Sequence, residues 1–178
     1  QYALKHCKNL GKTNVILQDA GGWMSYKKDC DKLRLDHVEV KTNDGLIITK
    51  ELEKFSEDSV LLITSSVGYF ALQDMDDIQE TCKKQGILLI NDASGSLGEK
   101  EAKTGDIIIG SFNKWKPVDF GSGGFIASDF EIESEWAELD YDALHEKLIN
   151  LPNRMDFLYD QANKVKKDLS NYNILHKE

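Results

Sequence analysis

Four short runs of almost unbroken apolar residues constrain this chain more than anything else in it: Asn14-Val15-Ile16-Leu17-Gln18, Val60-Leu61-Leu62-Ile63-Thr64, Ile87-Leu88-Leu89-Ile90-Asn91 and Asp106-Ile107-Ile108-Ile109-Gly110. Each is of strand length, and each ends in turn-forming or polar residues. Strands that are apolar at every position are covered on both faces, which is the pattern of a parallel sheet layered with helices. The intervening segments carry helical periodicity. Tyr2, Ala3, Leu4, Cys7 and Leu10 recur at helical spacing before Gly11, and Asp74–Gln85 shows Met75, Ile78 and Cys82 on one side, Lys83 and Lys84 in the last turn, and Gly86 beyond. Ser25–Leu35 reads as a further helix, Val38–Lys41 as a short strand, and Asn43-Asp44-Gly45 as a turn. Thr49 is placed to cap a helix over Lys50–Phe55, and Gly123–Ala127 to form one more strand. The alternation of strands and helices predicts an α/β fold with a mostly parallel sheet and helices on both faces.

The pattern changes after about residue 130. Glu131–Glu146 is rich in Glu and Asp and reads as a solvated stretch, followed by a long helix from Asn153 to Leu169 and a candidate strand at Tyr172–Leu175. Residues 1–130 are therefore expected to form the core of a large domain, and 131–178 a linker and the partial, helical start of a smaller C-terminal one. The sequence opens at Gln1 in mid-helix, so a segment of a longer chain is expected.

Composition narrows the function classes. With 22 Lys and Arg against 31 Asp and Glu, the net charge is −9, and no basic run could track a phosphate backbone, which argues against nucleic acid as a partner. Cys7, Cys30 and Cys82 show no metal-ligand or redox spacing and are expected as free thiols in a cytoplasmic protein. No stretch approaches the ~20 apolar residues of a membrane span. His6, His37, His145 and His176 are scattered, so no metal is expected. Neither Gly21-Gly22 nor Gly121-Ser122-Gly123-Gly124 completes a nucleotide-binding fingerprint.

In parallel sheets ligands bind at the carboxyl ends of the strands, which draws attention to Asp19, Ser65, Asp92 and Ser111–Lys114. Three motifs in this region carry a family resemblance. Gly86–Gly95 is an apolar run closed by Asp92-Ala93, Gly105–Lys114 is a run closed by Ser111-Phe112-Asn113-Lys114, and Phe120–Ala127 is glycine-rich. Together, and in this order, they resemble the large domain of fold-type-I pyridoxal-phosphate (PLP) enzymes of the aspartate aminotransferase superfamily, closest to the DegT-like and class V aminotransferase groups. The resemblance covers roughly residues 1–130.

That resemblance implies PLP as cofactor. It assigns Lys114 as the Schiff-base lysine, Asp92 as the partner of the ring nitrogen, Ser111 as a phosphate contact, and Trp23, in the form Gly22-Trp23-x-x-Tyr26, as the aromatic stacked on the ring. Ser65 stands where many relatives have an Asn near the ring hydroxyl, and Ser94 is a further candidate for the lining. Lys116 competes with Lys114, and only the Ser-x-x-Lys spacing favours the latter. Asn113 replaces the His that precedes the lysine in cysteine desulfurases.

The function implied is a PLP-dependent transferase, aminotransferase-like, acting on an amino acid or amino sugar as small-molecule amino-group substrate. Two alternatives stand beside it. One is a fragment or non-catalytic subunit serving as a binding or scaffolding module. The other is a cysteine- or selenocysteine-synthase-like enzyme acting on tRNA, which the acidic balance disfavours. The glycine- or serine-rich phosphate turn and the substrate-binding arginine of such enzymes have no counterpart here. Enzymes of this fold usually dimerise with their sites at the interface, so the resemblance implies a homodimer, or a complex with a chain supplying those parts.

Overall fold

The computed structural model of the chain describes residues 1–68, 71–136 and 138–173. Six strands form one sheet: β1 (Asn14–Gln18), β2 (Asp36–Val40), β3 (Ser59–Thr64), β4 (Leu88–Asp92), β5 (Ile107–Ser111) and β6 (Gly124–Ser128). Their spatial order is β6-β5-β4-β3-β1-β2. All neighbours are parallel except β6, which returns antiparallel along β5. The chain steps from β1 outward to β2 and then crosses to the other side of β1 for β3. The carboxyl edge at β1 and β3 is thus the place where strand order reverses, which in open α/β sheets is where ligands bind.

The apolar runs split cleanly by the two-residue period of a strand. Val15, Leu17, Val60, Leu62, Ile90 and Ile107 face helices α1 (Tyr2–Asn9) and α2 (Ser25–Leu33), which contribute Ala3, Leu4, Cys7, Tyr26 and Cys30 to that layer. Ile16, Leu61, Ile63 and Leu89 point the other way, onto Met75, Ile78 and Cys82 of helix α3 (Met75–Gln85) and onto Leu52. Asp74 caps α3 by accepting the Asp77 N–H at 3.3 Å, and Gly86 closes it at φ 71°.

Several local expectations are corrected. Helix α2 stops at Leu33, because Arg34 turns into the left-handed region at φ 53°. Thr49 does not cap an α-helix: Thr49–Leu52 is a single 3-10 turn preceded by Ile48, without a side-chain cap. Leu10, read as part of the helical spacing of α1, is the residue just beyond the helix and is 54 % exposed. The acidic segment after 130 contains a helix that composition hid, α4 (Tyr141–Ile149), whose Asp140 side chain accepts the Ala143 N–H at 3.0 Å. Helix α5 runs from Leu151 to Asp168, and Leu144, Phe112 and Val118 form a small third core cluster with Leu139 and Leu151 against it. The strand expected at Tyr172–Leu175 falls partly outside the described residues, and Tyr172 and Asn173 themselves are not in a strand.

Two buried glutamines fasten the loops at the carboxyl edge. Gln18, the last residue of β1, donates to the carbonyls of Ala20 (2.8 Å) and Gly45 (3.1 Å) and accepts the Thr64 N–H (3.0 Å). Gln73 donates to the same Gly45 carbonyl (3.0 Å) and accepts the Ile47 N–H (2.9 Å). They pin the hairpin made by Thr42–Asn43 and Leu46–Ile47, whose turn has Asp44 at φ 50° and Gly45 at φ 87°. A Cβ at Gly45 would also collide with Cγ1 of Val67, so this turn needs glycine for space as well as for conformation.

Candidate functional site

The alternation that sorts the core also sorts the strand ends. Asp92 follows Leu88 and Ile90 in phase, and Ser111 follows Ile107 and Ile109, so both end on the α1–α2 side. A cleft of about 210 Å³ opens there, lined by Leu62, Ile90, Asp92, Gly110 and Ser111 from the sheet, by Ser94 in the turn after β4, and by Trp23, Tyr26 and Leu4 from the helix side. Four of the six residues anticipated for a site, Trp23, Asp92, Ser94 and Ser111, therefore meet in one place.

Hydrogen bonds fix this edge. Asp92 Oδ1 accepts the Ser94 N–H at 3.0 Å, and Oδ2 accepts the Tyr26 hydroxyl at 2.6 Å. Ser94 Oγ in turn accepts the Ser111 N–H at 2.9 Å, joining the ends of β4 and β5. Ser111 Oγ accepts the Asn113 N–H at 3.2 Å, an arrangement that leaves its own proton to be aimed elsewhere. Trp23 is 54 % exposed, with one part of its indole on the cleft.

The two remaining anticipated residues lie elsewhere. Ser65 continues the phase of Leu61 and Ile63 and so falls toward the α3 side; it is fully buried, with its hydroxyl 2.6 Å from that of Ser96. It does not line the cleft. Lys114 is exposed, whereas the Nζ of Lys116 lies 5.5 Å from the centroid of the Trp23 ring, within cation–π range. Between the two lysines, Trp115 adopts φ 70°, with its N–H donated to Asp119 Oδ2 at 3.1 Å. That left-handed residue redirects the chain, so spacing from Ser111 does not say which lysine turns inward.

Tyr26 is the residue that sequence reasoning passed over. It is 6 % exposed, belongs to the first turn of α2, and touches Asp92 directly. The signal was its position three after Trp23, a spacing that puts two side chains on one side of a helical turn. A larger hollow of about 330 Å³ opens at the start of α3, lined by Gln73, Asp74, Lys100 and Glu101. Neither Asp92 nor Ser111 reaches it, so the smaller cleft is the candidate site. Among the described residues no group of His, Cys, Asp and Glu is arranged to hold a metal ion, and no helix is long and apolar enough to cross a membrane.

Comparison with known proteins agrees with this architecture. Residues 36–162 match the DegT/DnrJ/EryC1/StrS aminotransferase family. The chain is 38 % identical over 106 residues to a UDP-4-amino-4,6-dideoxy-N-acetyl-beta-L-altrosamine transaminase of Campylobacter jejuni, an alignment covering 55 % of this chain and 28 % of that protein. It therefore spans little more than a quarter of that relative's length. Among solved structures, a DegT DnrJ EryC1 StrS aminotransferase from Brucella abortus superposes with a TM-score of 0.75 at 14 % identity, covering 96 % of this chain and 57 % of that one. NtdA from Bacillus subtilis with bound cofactor PMP gives a TM-score of 0.59 at 20 % identity, over 82 % and 32 % of the two chains. The fold of these structures is the fold found here, and with the match extending over residues 36–162, the chain belongs to the DegT/DnrJ/EryC1/StrS aminotransferase family.

Proposed function

We propose that this chain forms the cofactor-holding part of a PLP-dependent aminotransferase that acts on an amino sugar carried by a nucleotide, with Lys116 rather than Lys114 as the lysine that bonds the cofactor. The observation that carries the reading is the cleft at the carboxyl edge, lined by a fixed carboxylate and by Trp23, whose ring has the Lys116 ammonium within cation–π range. The substrate class is taken from the name of the Campylobacter relative.

These residues fit the cofactor. When bound, PLP supplies an aldehyde that takes amino groups and a ring that accepts electrons. The carboxylate of Asp92, kept in place by the Ser94 N–H and the Tyr26 hydroxyl, would hold a proton at the ring nitrogen, since a negative charge at close range favours the protonated form. Trp23 would orient the ring by the area and quadrupole of its indole. Ser111, with its hydroxyl already accepting from Asn113, has one proton to donate to a phosphate oxygen. Lys116 would move a proton at the carbon that bears the amino group. Ser94 acts on the frame, tying β4 to β5.

The test is addition of PLP followed by borohydride reduction and peptide mapping, on the natural sequence and on Lys114→Ala and Lys116→Ala. The expected result is a visible absorption band, fixed by reduction onto the peptide containing Lys116, lost in Lys116→Ala and kept in Lys114→Ala. The reverse pattern would return the role to Lys114. Absence of a band from the natural sequence would refute cofactor binding by this chain and favour a non-catalytic scaffolding module.

A further inference from the structure

We propose that Tyr26 is a positioning residue for the cofactor: its phenol sets the carboxylate of Asp92 against the ring nitrogen and holds it in register with Trp23. This deepens the PLP reading above and rests on it. The geometry consists of two bonds made by one residue. The Tyr26 N–H donates to the Trp23 carbonyl at 3.1 Å, and its hydroxyl donates to Asp92 Oδ2 at 2.6 Å. The aromatic platform and the carboxylate come from separate parts of the chain, the loop after β1 and the end of β4, and Tyr26, which also lines the cleft, joins them.

Burial gives that link its directing power. Tyr26 is 6 % exposed and packed among Ala3, Leu4 and Cys30, so its ring cannot swing away without emptying part of the core. The Ser94 N–H holds Oδ1 from the far side. With both oxygens engaged, rotation of the carboxylate about its last bond is restrained, while each oxygen keeps lone-pair capacity for a third donor. A protonated ring nitrogen is such a donor. Removing the hydroxyl would leave the carboxylate held from one side only, with the ring-nitrogen contact less favourable and the indole platform free to shift relative to it.

Tyr26→Phe removes the hydroxyl and keeps the ring. The measurement is the dissociation constant of PLP, and of its carbocyclic analogue in which a C–H replaces the ring nitrogen, for the natural sequence, Tyr26→Phe, Asp92→Asn and the double variant, with thermal melting of each without cofactor. The expected result is PLP binding weakened about tenfold by Tyr26→Phe, the factor that about 1.4 kcal/mol of charge-assisted hydrogen bonding represents. Binding of the analogue should change less than twofold, and Tyr26→Phe should cost less than twofold when added to Asp92→Asn. Equal weakening of PLP and analogue would show a merely structural role and overturn the inference, as would unchanged PLP binding in Tyr26→Phe. If Asp92→Asn binds PLP like the natural sequence, the reading of the cleft fails first and the role of Tyr26 falls with it. Should Tyr26→Phe alone melt too low to assay, the comparison of PLP with the analogue on Asp92→Asn and on Tyr26→Trp, which keeps a donor on a buried ring, decides the same question: a nitrogen-independent loss in Tyr26→Trp overturns it.

Discussion

The shared carbonyl of Gly45 makes a sharp prediction about how the carboxyl edge is held together. Gln18 and Gln73 both donate to it, at 3.1 and 3.0 Å, and each also accepts a backbone N–H, from Thr64 and Ile47 respectively. Methionine replaces glutamine with little change in shape and removes the polar end. In Gln73→Met the Ile47 N–H is orphaned, while the Gly45 carbonyl retains Gln18. In Gln18→Met the Thr64 N–H is orphaned, the exposed Ala20 carbonyl turns to water, and Gly45 retains Gln73. A buried backbone group left without a partner costs about 1–3 kcal/mol, so each single variant should lose about 2 kcal/mol. Only in the double variant does the buried Gly45 carbonyl lose both donors. The double should therefore lose about 6 kcal/mol, some 2 kcal/mol beyond the sum of the singles.

Urea unfolding of the four proteins gives the cycle directly, provided the slope of free energy on urea is unchanged among them. By melting, each single variant should fall by about 4–8 °C for a chain of this size. A double variant whose loss equals the sum of the singles within about 0.5 kcal/mol would refute the shared-acceptor argument. It would mean that the hairpin at 42–47 relaxes onto water when either glutamine is lost.

Further outcomes follow from the thiols and from the turn between the lysines. Burial pushes the thiols of Cys7 and Cys82 up to about 12 and that of Cys30 up to about 11. At pH 8 all three should resist alkylation in the native protein and react readily in urea, as mass spectrometry would read. Because the unfolded thiols ionise near 8.5 while the folded ones stay protonated, the unfolded state binds fewer protons above that pH, and stability should fall as pH rises from about 9 toward 12. Trp115 stands at φ 70° with its side chain 88 % exposed, so Trp115→Gly should raise stability by about 1 kcal/mol in urea unfolding. The same variant loosens the turn and should slow attachment of PLP to the chain, followed as the rate of appearance of the absorption band.

Much of the fold was legible because buried parallel strands announce themselves. Val60–Thr64 and Ile87–Asn91 are apolar at nearly every position; the observed strand Ser59–Thr64 adds one residue at the start of its run, and Leu88–Asp92 is its run shifted by one residue. Helix α4 was not legible, since Asp140, Asp142 and Glu146 dominate its composition while Leu144, its one buried residue, finds a partner cluster only in three dimensions. The hairpin at 42–47 was legible as a turn, but its attachment was not. Gln18 and Gln73 are 55 residues apart in sequence and resemble ordinary polar residues until their shared acceptor is seen.

The candidate site shows the same division between phase and direction. The period of two carries Asp92 and Ser111 onto the face of Ile90 and Ile109 and carries Ser65 onto the face of Ile63, so strand phase, read from the apolar runs, sorts these three residues correctly once the two faces are assigned to their helices. Phase ends where the strand ends. Beyond Ser111 the chain passes through Trp115 in the left-handed region, held by the Asp119 carboxylate, and a regular period no longer predicts side-chain direction. Counting three residues from Ser111 arrives at Lys114, whereas the side chain over Trp23 belongs to Lys116. A reactive lysine set after such a turn is placed by the turn, so its position should be sensitive to Asp119. Asp119→Ala removes the acceptor of the Trp115 N–H, and the prediction is that borohydride labelling, confined to the Lys116 peptide in the natural sequence, spreads to the Lys114 peptide in this variant. Labelling that stays wholly on Lys116 would show that contacts other than the Asp119 cap direct the lysine.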